Sequence, residues 1–377
     1  WKIRCAASAR PCHVDSLNLK YKISRLLACG YMCNFFKVTN PNNILLARTR
    51  LRSWYSEHAR DLPWRLEPSL YGTWLSEILL QQTRVETGIP KWHLFMDLFP
   101  TVGHLARASE DQVLKAWEGL GYYRRATHLH KAARAIDAVG EFPKSHAEWL
   151  KLPGVGPYTA AAIASIGLGE AVAVVDGNVQ RVVARWGGIT DSVDGKTGAQ
   201  AVQAVADAWL DHADPGNHNQ AVMELGALVC SPRNPLCECC PLSTNCASAN
   251  QPEMWGILPT KQPKKKAIRW ELTWHIVRFE NFTVTIQRPE TGVWAKLWAF
   301  PESTPPSDFH PLGELMKPVT HLLTHRRIEA TIQGWEAPNK TAMEVYASEV
   351  GGEVLTWEEL GQRAMPRLAT KIFSDKL

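Results

Sequence analysis

The chain has 377 residues, 45% hydrophobic and 21% charged, which is too long for one small core and predicts a globular protein of two domains. Its net charge of +5 is unevenly spread: residues 1–43 hold seven Lys/Arg and one acid, and the remainder has 35 basic against 36 acidic residues. Bulk charge therefore gives no argument for a nucleic-acid or membrane-surface partner, and any basic binding surface must come from local clustering. No apolar stretch is long enough to span a bilayer.

Residues 1–43 lack regular periodicity. Leu26 to Phe36 is weakly apolar after basic residues, like a signal-peptide core, but no small-residue cleavage site follows. The expectation is a disordered or spurious leader. From 44 to 250 the pattern is helical. Trp74, Leu75, Ile78 and Leu79 keep helix spacing, as do Val113, Leu114 and Trp117, then Leu129, Ala132, Ala133 and Ile136. Gly119, Gly121, Gly140, Gly187 and Gly188 punctuate these segments.

Within this region Leu152-Pro153-Gly154-Val155-Gly156-Pro157 predicts a tight hairpin opening a helix. Two glycines bracketing one apolar residue leave backbone N–H groups exposed at a positive helix end, a ready phosphate site. About twenty residues on, Val174-Val175-Asp176-Gly177-Asn178 ends an apolar run on a carboxylate. Asp176 there reads either as a helix N-cap or as an acid that stabilises positive charge on a sugar, and the two roles can coexist. Glu77 lies between apolar residues on a predicted buried helix. Partial desolvation of such a carboxyl suits a general acid, while the bland alternative is a glutamate on a solvated face.

The nine cysteines fall in two groups, Cys5, Cys12, Cys29 and Cys33, then Cys230, Cys237, Cys239, Cys240 and Cys246. That clustering is unlike a disulfide framework and predicts a metal site in a reducing compartment. Cys230, Cys237, Cys240 and Cys246 can supply four thiolates to a [4Fe–4S] cluster or a zinc ion, with Cys239 spare; spacing leaves the two open.

Residues 251–268 place Pro252, Pro259 and Pro263 around Lys261, Lys264, Lys265 and Lys266, which predicts a basic, poorly structured linker. From 269 to 377 the period changes to two. Leu272 to Val277 and Phe282 to Ile286 predict strands joined by a turn at Glu280-Asn281. Ala330 to Ile332 and Met343 to Tyr346 predict further strands, and Trp357 to Leu360 and Leu368 to Ile372 predict helices, so the second domain is α+β.

The hairpin, the Val-Asp-Gly-Asn segment and the compact cysteine loop occur together, and over Leu51 to Cys246 the chain resembles the helix-hairpin-helix DNA glycosylases of the endonuclease III type. Within them it is similar to the adenine-excising branch, through Leu62-Pro63-Trp64-Arg65, Trp74 to Thr83, Gly119-Leu120-Gly121-Tyr122-Tyr123-Arg124 and Asn219-Gln220-Ala221. The resemblance implies an all-α glycosylase domain and a hydrolase of base excision repair acting on duplex DNA with adenine opposite 8-oxoguanine or guanine. It implies a [4Fe–4S] cluster on the four cysteines, with nearby Arg233 on a DNA-binding loop. Glu77 would protonate adenine, Asp176 stabilise the sugar cation, and Asn178 order the water or carboxylate. Tyr158 stands where strand-cutting relatives carry a lysine that forms a Schiff base, which implies a monofunctional enzyme; its hydroxyl could bond near Asp176. Arg65, Gln81, Gln82 and Tyr122 would surround the lesion, with Leu152, Gly154, Val155 and Gly156 on the backbone and Gln220 beside the adenine pocket.

Gly292 to Pro301 resembles the Gly-x-Trp-x-x-x-Trp-x-Phe-Pro segment of the Nudix-like domain attached to these enzymes, and no glutamate-rich Nudix box follows, so diphosphate hydrolysis is not expected. Its lesion-reading Phe-Ser-His loop is matched by Leu323-Thr324-His325, with Thr324 and His325 as contacts and an aromatic surface lost at Leu323. A monomer without membrane association, in a bacterial cytoplasm on the nucleoid, completes the expectation. The rivals are a pyrimidine-lesion glycosylase/lyase, against which Tyr158 stands, and a silent damage-binding module, against which Glu77 and Asp176 stand.

Overall fold

The computed structural model describes residues 40–249, 251–263 and 266–374. The expected leader therefore lies outside the described residues up to 39, and residues 41–43 already belong to a helix. The chain forms two compact units, one ending its first segment at Arg60 and resuming over Gly169–Gln262, the other made of Asp61–Leu168 and Pro263–Leu377.

The first unit opens with α1 (Pro41–His58), which Asn40 caps by accepting from the Asn42 N–H, with proline at the first turn. The chain then enters the second unit with α2 (Leu70–Leu79), α3 (Val85–Leu98), α4 (Glu110–Trp117), α5 (Arg124–Val139) and α6 (Pro157–Leu168). Their starts and stops are written in local chemistry. Ser69 caps α2, Ser109 and Gln112 close a capping box on α4, and Gly140 ends α5 in the left-handed region at φ 85°. The sequence-predicted apolar faces meet in one core holding Trp74, Leu75, Phe95, Trp117, Leu129, Ile136 and Trp149.

Back in the first unit, α7 (Gly177–Gly187), α8 (Lys196–Trp209) and α9 (Pro215–Leu228) pack with α1 around Val183, Trp186, Trp209 and Leu225. The segment expected as a loose linker stays on this unit through Gln262. Pro252–Trp255 is a helical turn, the Val193 N–H donates to the Thr260 carbonyl (2.9 Å), and the Gln262 N–H to Asp194 Oδ1 (2.9 Å).

The remaining chain adds a six-stranded mixed sheet to the second unit, of strands β1 (Ile268–Phe279), β2 (Phe282–Gln287), β3 (Trp298–Ala299), β4 (His310–Leu322), β5 (Arg326–Glu336) and β6 (Gly352–Thr356). The main order is β3-β2-β1-β5-β4, and β6 also pairs with β2. β1 and β5 run parallel in unbroken register, Leu272 opposite Ala330 and Trp274 opposite Ile332, and the other pairings are antiparallel. The β1–β2 hairpin turns at Glu280 as expected. Met343 to Tyr346 is not a strand but part of α10 (Lys340–Glu349). Asn339 caps it through the Ala342 N–H at 2.8 Å, and Met343, Tyr346 and Ala347 bury one helical face. The tetrapeptide's alternation fits both periods, and the cap decides. The expected helices appear at Trp357–Gly361 and at α11 (Arg367–Ser374). β4 had no clear sequence signal because Pro311 and Pro318 interrupt it. It is an edge strand with three register shifts, where missing donors are tolerated.

Leu297 and Ala364, from the sheet region, are buried in the helical core with Trp117 and Tyr123. Lys296 pairs with Glu110 (2.8 Å), Arg363 with Asp111 (2.7 Å), and the Tyr123 hydroxyl donates to the Met365 carbonyl (3.1 Å). Leu297→Ala should lower the stability of this unit by about 2–5 kcal/mol, read by urea denaturation followed through tryptophan fluorescence. An unchanged midpoint would show that the sheet region does not share the helical core.

Candidate active site and cysteine loop

α2 is buried along nearly its whole length, residues 71–79 without a break, and Glu77 is the acid in that run, 8% exposed. Its partner comes from the first turn of α6, where the Tyr158 hydroxyl donates to Glu77 Oε2 at 2.6 Å. A hydrogen bond of this length fixes the carboxyl's orientation. Just past the end of α2, Gln81 Nε2 donates to Thr159 Oγ1 at 3.1 Å, so the C-terminal end of α2 and the start of α6 are tied twice.

The hairpin ahead of α6 forms as expected. Gly154 sits at φ 78°, and a Cβ there would lie 2.6 Å from His128 Cβ, so both backbone and space require glycine. Val155 is buried in the helical core, with Leu152 packed beside it, while Gly156 is exposed. Val155 is therefore an anchor, and what the loop offers a ligand is backbone.

Gln82 and Tyr122 are both exposed and both left-handed, at φ 58° and 47°. Tyr122 follows Gly119 and Gly121, and its hydroxyl is hydrogen-bonded to that of Thr324 in the turn between β4 and β5. His325, next in that turn, is exposed and its carbonyl accepts from the Ile268 N–H (3.0 Å). Leu323 packs half-buried on the sheet's core, which accounts for an aliphatic side chain there. Arg65 is half-buried in the short helix Pro63–Leu66.

In the first unit, Asp176 is the N-cap of α7. Its Oδ1 accepts from the Val179 N–H (2.7 Å) and its Oδ2 from Asn178 Nδ2 (2.9 Å). Asn219 on α9 holds the approach to it, accepting from the Val174 N–H (3.0 Å) and donating to the Val172 carbonyl (2.9 Å); Gln220 is half-buried beside it. Burial pushes the Asp176 carboxyl up from its ordinary value, against the opposing pull of these hydrogen bonds and Arg181. Arg181 donates to Asn178 Oδ1 (2.8 Å) and to the carbonyls of Gly226 and Cys230 (2.7 Å each), so a continuous network joins Asp176 to the cysteine loop.

Cys230, Cys237, Cys240 and Cys246 line one pocket, whereas Cys239 is exposed and does not. Burial, reinforced by the neighbouring thiolates, pushes Cys240 up to about 12 and Cys246 to about 11. Arg185, 2% exposed, lies against the loop and donates to the carbonyls of Ser231 and Pro232 (2.7 Å each), Trp255 (2.5 Å) and Leu258 (3.0 Å). Among the described residues no group of three or more His, Cys, Asp or Glu is gathered closely enough to hold one metal ion. The thiols instead surround a space, and Arg233 on the same loop is exposed.

Because the folded state holds the Asp176 proton more tightly than the unfolded chain, the stability it contributes is present at low pH and lost as the pH rises through the folded-state value. Asp176→Asn keeps an oxygen for the Val179 cap, cannot ionise and escapes that loss. The stability of the variant relative to the parent should climb as the pH rises from about 4, the ordinary aspartate value, as measured by urea denaturation at a series of pH values. A flat difference would show that the buried carboxylate carries no such cost.

Residues 75–207, which include Glu77, Tyr158, Asp176 and Asn178, match the family described as HhH-GPD superfamily base excision DNA repair protein. The chain is 31% identical to the adenine DNA glycosylase of Rattus norvegicus, covering 98% of this chain and 86% of the relative. It is 34% identical to that of Homo sapiens, covering 86% of this chain and 73% of the relative. Among solved structures, a thermostable thymine-DNA glycosylase superposes with a TM-score of 0.50 at 26% identity, covering 54% of this chain and 95% of that one. Buried acid, helix hairpin and cysteine loop thus sit in a sequence that matches adenine DNA glycosylases nearly end to end, and the chain belongs to that family of base-excision-repair hydrolases.

Proposed function

We propose that this adenine DNA glycosylase acts on adenine opposite 8-oxoguanine or guanine in duplex DNA and hydrolyses only the glycosidic bond. The observation that carries the reading is the Tyr158–Glu77 hydrogen bond on a buried helix. Adenine leaves poorly as an anion, so N7 must gain a proton as the bond to the sugar breaks. Glu77 supplies it, oriented by the Tyr158 hydroxyl. The bonding pair departs with N9, and the positive charge left on the sugar is stabilised by the Asp176 carboxylate, which Asn178 holds in place. Water adds to C1′ and releases a proton. Tyrosine at 158 has no amine to attack the sugar, so no Schiff base forms and the strand is left uncut.

Gln82 and Tyr122 fill the gap left by the flipped adenine, Arg65, Gln81 and Gln220 border it, and the 152–156 hairpin takes a backbone phosphate. Thr324 and His325 read the opposing base. The protein works as a monomer on DNA; among the described residues no helix is long and apolar enough to cross a membrane. Residues 269–377 form the Nudix-like reader.

The four cavity-lining thiols fit a [4Fe–4S] cluster. A single zinc needs four sulfurs about 2.3 Å from one point, whereas among the described residues no three His, Cys, Asp or Glu side chains are gathered that closely. When bound, the cluster cross-links the loop as thiolate-ligated iron and sulfide. Arg181 and Arg185 hold the backbone that presents those thiolates.

Glu77→Gln should keep DNA affinity and lose single-turnover excision by about a hundred- to ten-thousand-fold. The assay uses duplexes bearing A·8-oxoguanine, A·G, A·T or thymine glycol, with base loss scored before and after alkali. Near-normal excision by the variant, activity on thymine glycol, or strand cleavage without alkali would overturn the corresponding part of the reading. Protein from iron-replete cells should carry about four irons and four sulfides per chain, retained in Cys239→Ser and lost in Cys237→Ser by metal analysis. Stoichiometric zinc instead would reject the cluster.

A further inference from the structure

Two bulky exposed side chains in the second unit, Gln82 and Tyr122, sit in the left-handed region that favours glycine. Such backbone persists only where its surroundings over-determine it. One side chain touches the backbone of both segments. Arg125, on the first turn of α5, is half-buried and sends Nη1 to the carbonyls of Ile78 (3.0 Å), Leu79 (3.1 Å) and Gln81 (2.5 Å). Its Nη2 reaches the carbonyls of Leu120 and Gly121 (3.3 Å each) and Thr83 Oγ1 (3.4 Å). The plane lies over the Trp117 ring at 4.9 Å, and its carbon is 5.8 Å from the Tyr122 ring centre.

We infer that Arg125 is the positioning residue that sets the two DNA-wedging side chains, Gln82 and Tyr122, in register with each other and with Glu77. Ile78 and Leu79 are among the last carbonyls of α2, which lack helical partners and favour a cation. The same α2 turn carries Glu77, so one guanidinium ties the acid's helix, the Gln82 turn and the Tyr122 turn. Trp117 Nε1 donates to the Gly121 carbonyl at 3.0 Å and backs the second turn from below. Lysine cannot substitute, because the bridge needs two nitrogens fixed in one plane, each aimed at a different segment. The inference rests on the proposed contact of Tyr122 with DNA.

The test uses full-length protein with its cofactor and compares Arg125→Lys, Tyr122→Ala and the double variant. Single-turnover excision from an A·8-oxoguanine duplex is followed together with fluorescence of a 2-aminopurine placed beside the mispair. Arg125→Lys should lower the rate by about tenfold or more and abolish the unstacking signal. In the Tyr122→Ala background the same substitution should change the rate less than about twofold, because the two act as one unit. Arg125→Ala, assayed with and without methylguanidinium, covers the case in which lysine destabilises the fold; recovery of the fluorescence signal is expected. Multiplicative rate losses, or a normal fluorescence signal in Arg125→Lys, would overturn the positioning role alone. A Tyr122→Ala protein with normal rate and signal would overturn the contact of Tyr122 with DNA and this inference with it.

Discussion

Arg181 and Arg185 lie one turn apart on α7, and the irregular backbone of the first unit is arranged around their guanidinium groups. Loops rich in proline and glycine leave carbonyl groups with no ladder to join, and burying them unpaired is costly. Arg185 accepts that task for four carbonyls from two separate segments, 231–232 and 255–258. Arg181 closes the end of α9 and the entry to the cysteine loop. A guanidinium suits this work because its donors are fixed in one plane and it stays charged when desolvated. Removing Arg185 strips a lining residue from the cysteine pocket and the donor from four carbonyls, and removing Arg181 takes the orienting donor from Asn178. The placement of thiols and the placement of Asp176 are therefore consequences of one set of hydrogen bonds.

The two acids are held by opposite strategies. Glu77 is placed by a helix that is buried almost all round, and its orientation comes from a tyrosine hydroxyl on a neighbouring helix. Asp176 is placed by the backbone it caps, and its ionised form is opposed by burial more than it is favoured by the cap, by Asn178 and by Arg181. An N-cap normally costs little and contributes about 1 kcal/mol. Here the cap sits where burial works against its charge, a cost that makes sense if a cation is to form beside it. On the proposed role, fold stability and chemistry pull in different directions at this residue, as they commonly do where strain or buried charge serves function.

Those features that repeat locally were legible in the sequence. The apolar spacing of α2 and α5, the Gly154 hairpin, the Asp176 cap and the β1–β2 hairpin all follow from residues within one or two turns of each other. What escaped reading depends on distant partners. Arg125, Arg181 and Arg185 look like ordinary surface cations on amphipathic helices until the carbonyls they serve are brought to them. The i,i+4 spacing of Arg181 and Arg185 beside Val182, Val183 and Trp186 was the available hint, a paired charge facing an apolar run. Met343 to Tyr346 was misread because four residues cannot distinguish period two from period 3.6, and the deciding Asn339 cap lies outside them. Edge strand β4 was hidden by its prolines, which an edge tolerates and a central strand would not.

The sheet region was legible as a fold, whereas its contacts depend on distant partners. Leu297 and Ala364 complete the core behind Trp117, and Lys296 and Arg363 pair with adjacent acids at the start of α4. Trp294 and Lys296, on the segment that leads into Leu297, have left-handed backbone, a conformation bulky residues hold only under constraint. The ion pairs are half-exposed and contribute little by themselves, so the apolar contact carries the docking and the charges set its register. That arrangement brings the hydroxyl of Thr324 against the hydroxyl of Tyr122. If, as proposed, one base is recognised before its partner is removed, attachment through a shared core has a physical advantage over a tether. A contact made at Thr324 would then bear directly on the Tyr122 loop, with no linker entropy to dissipate it.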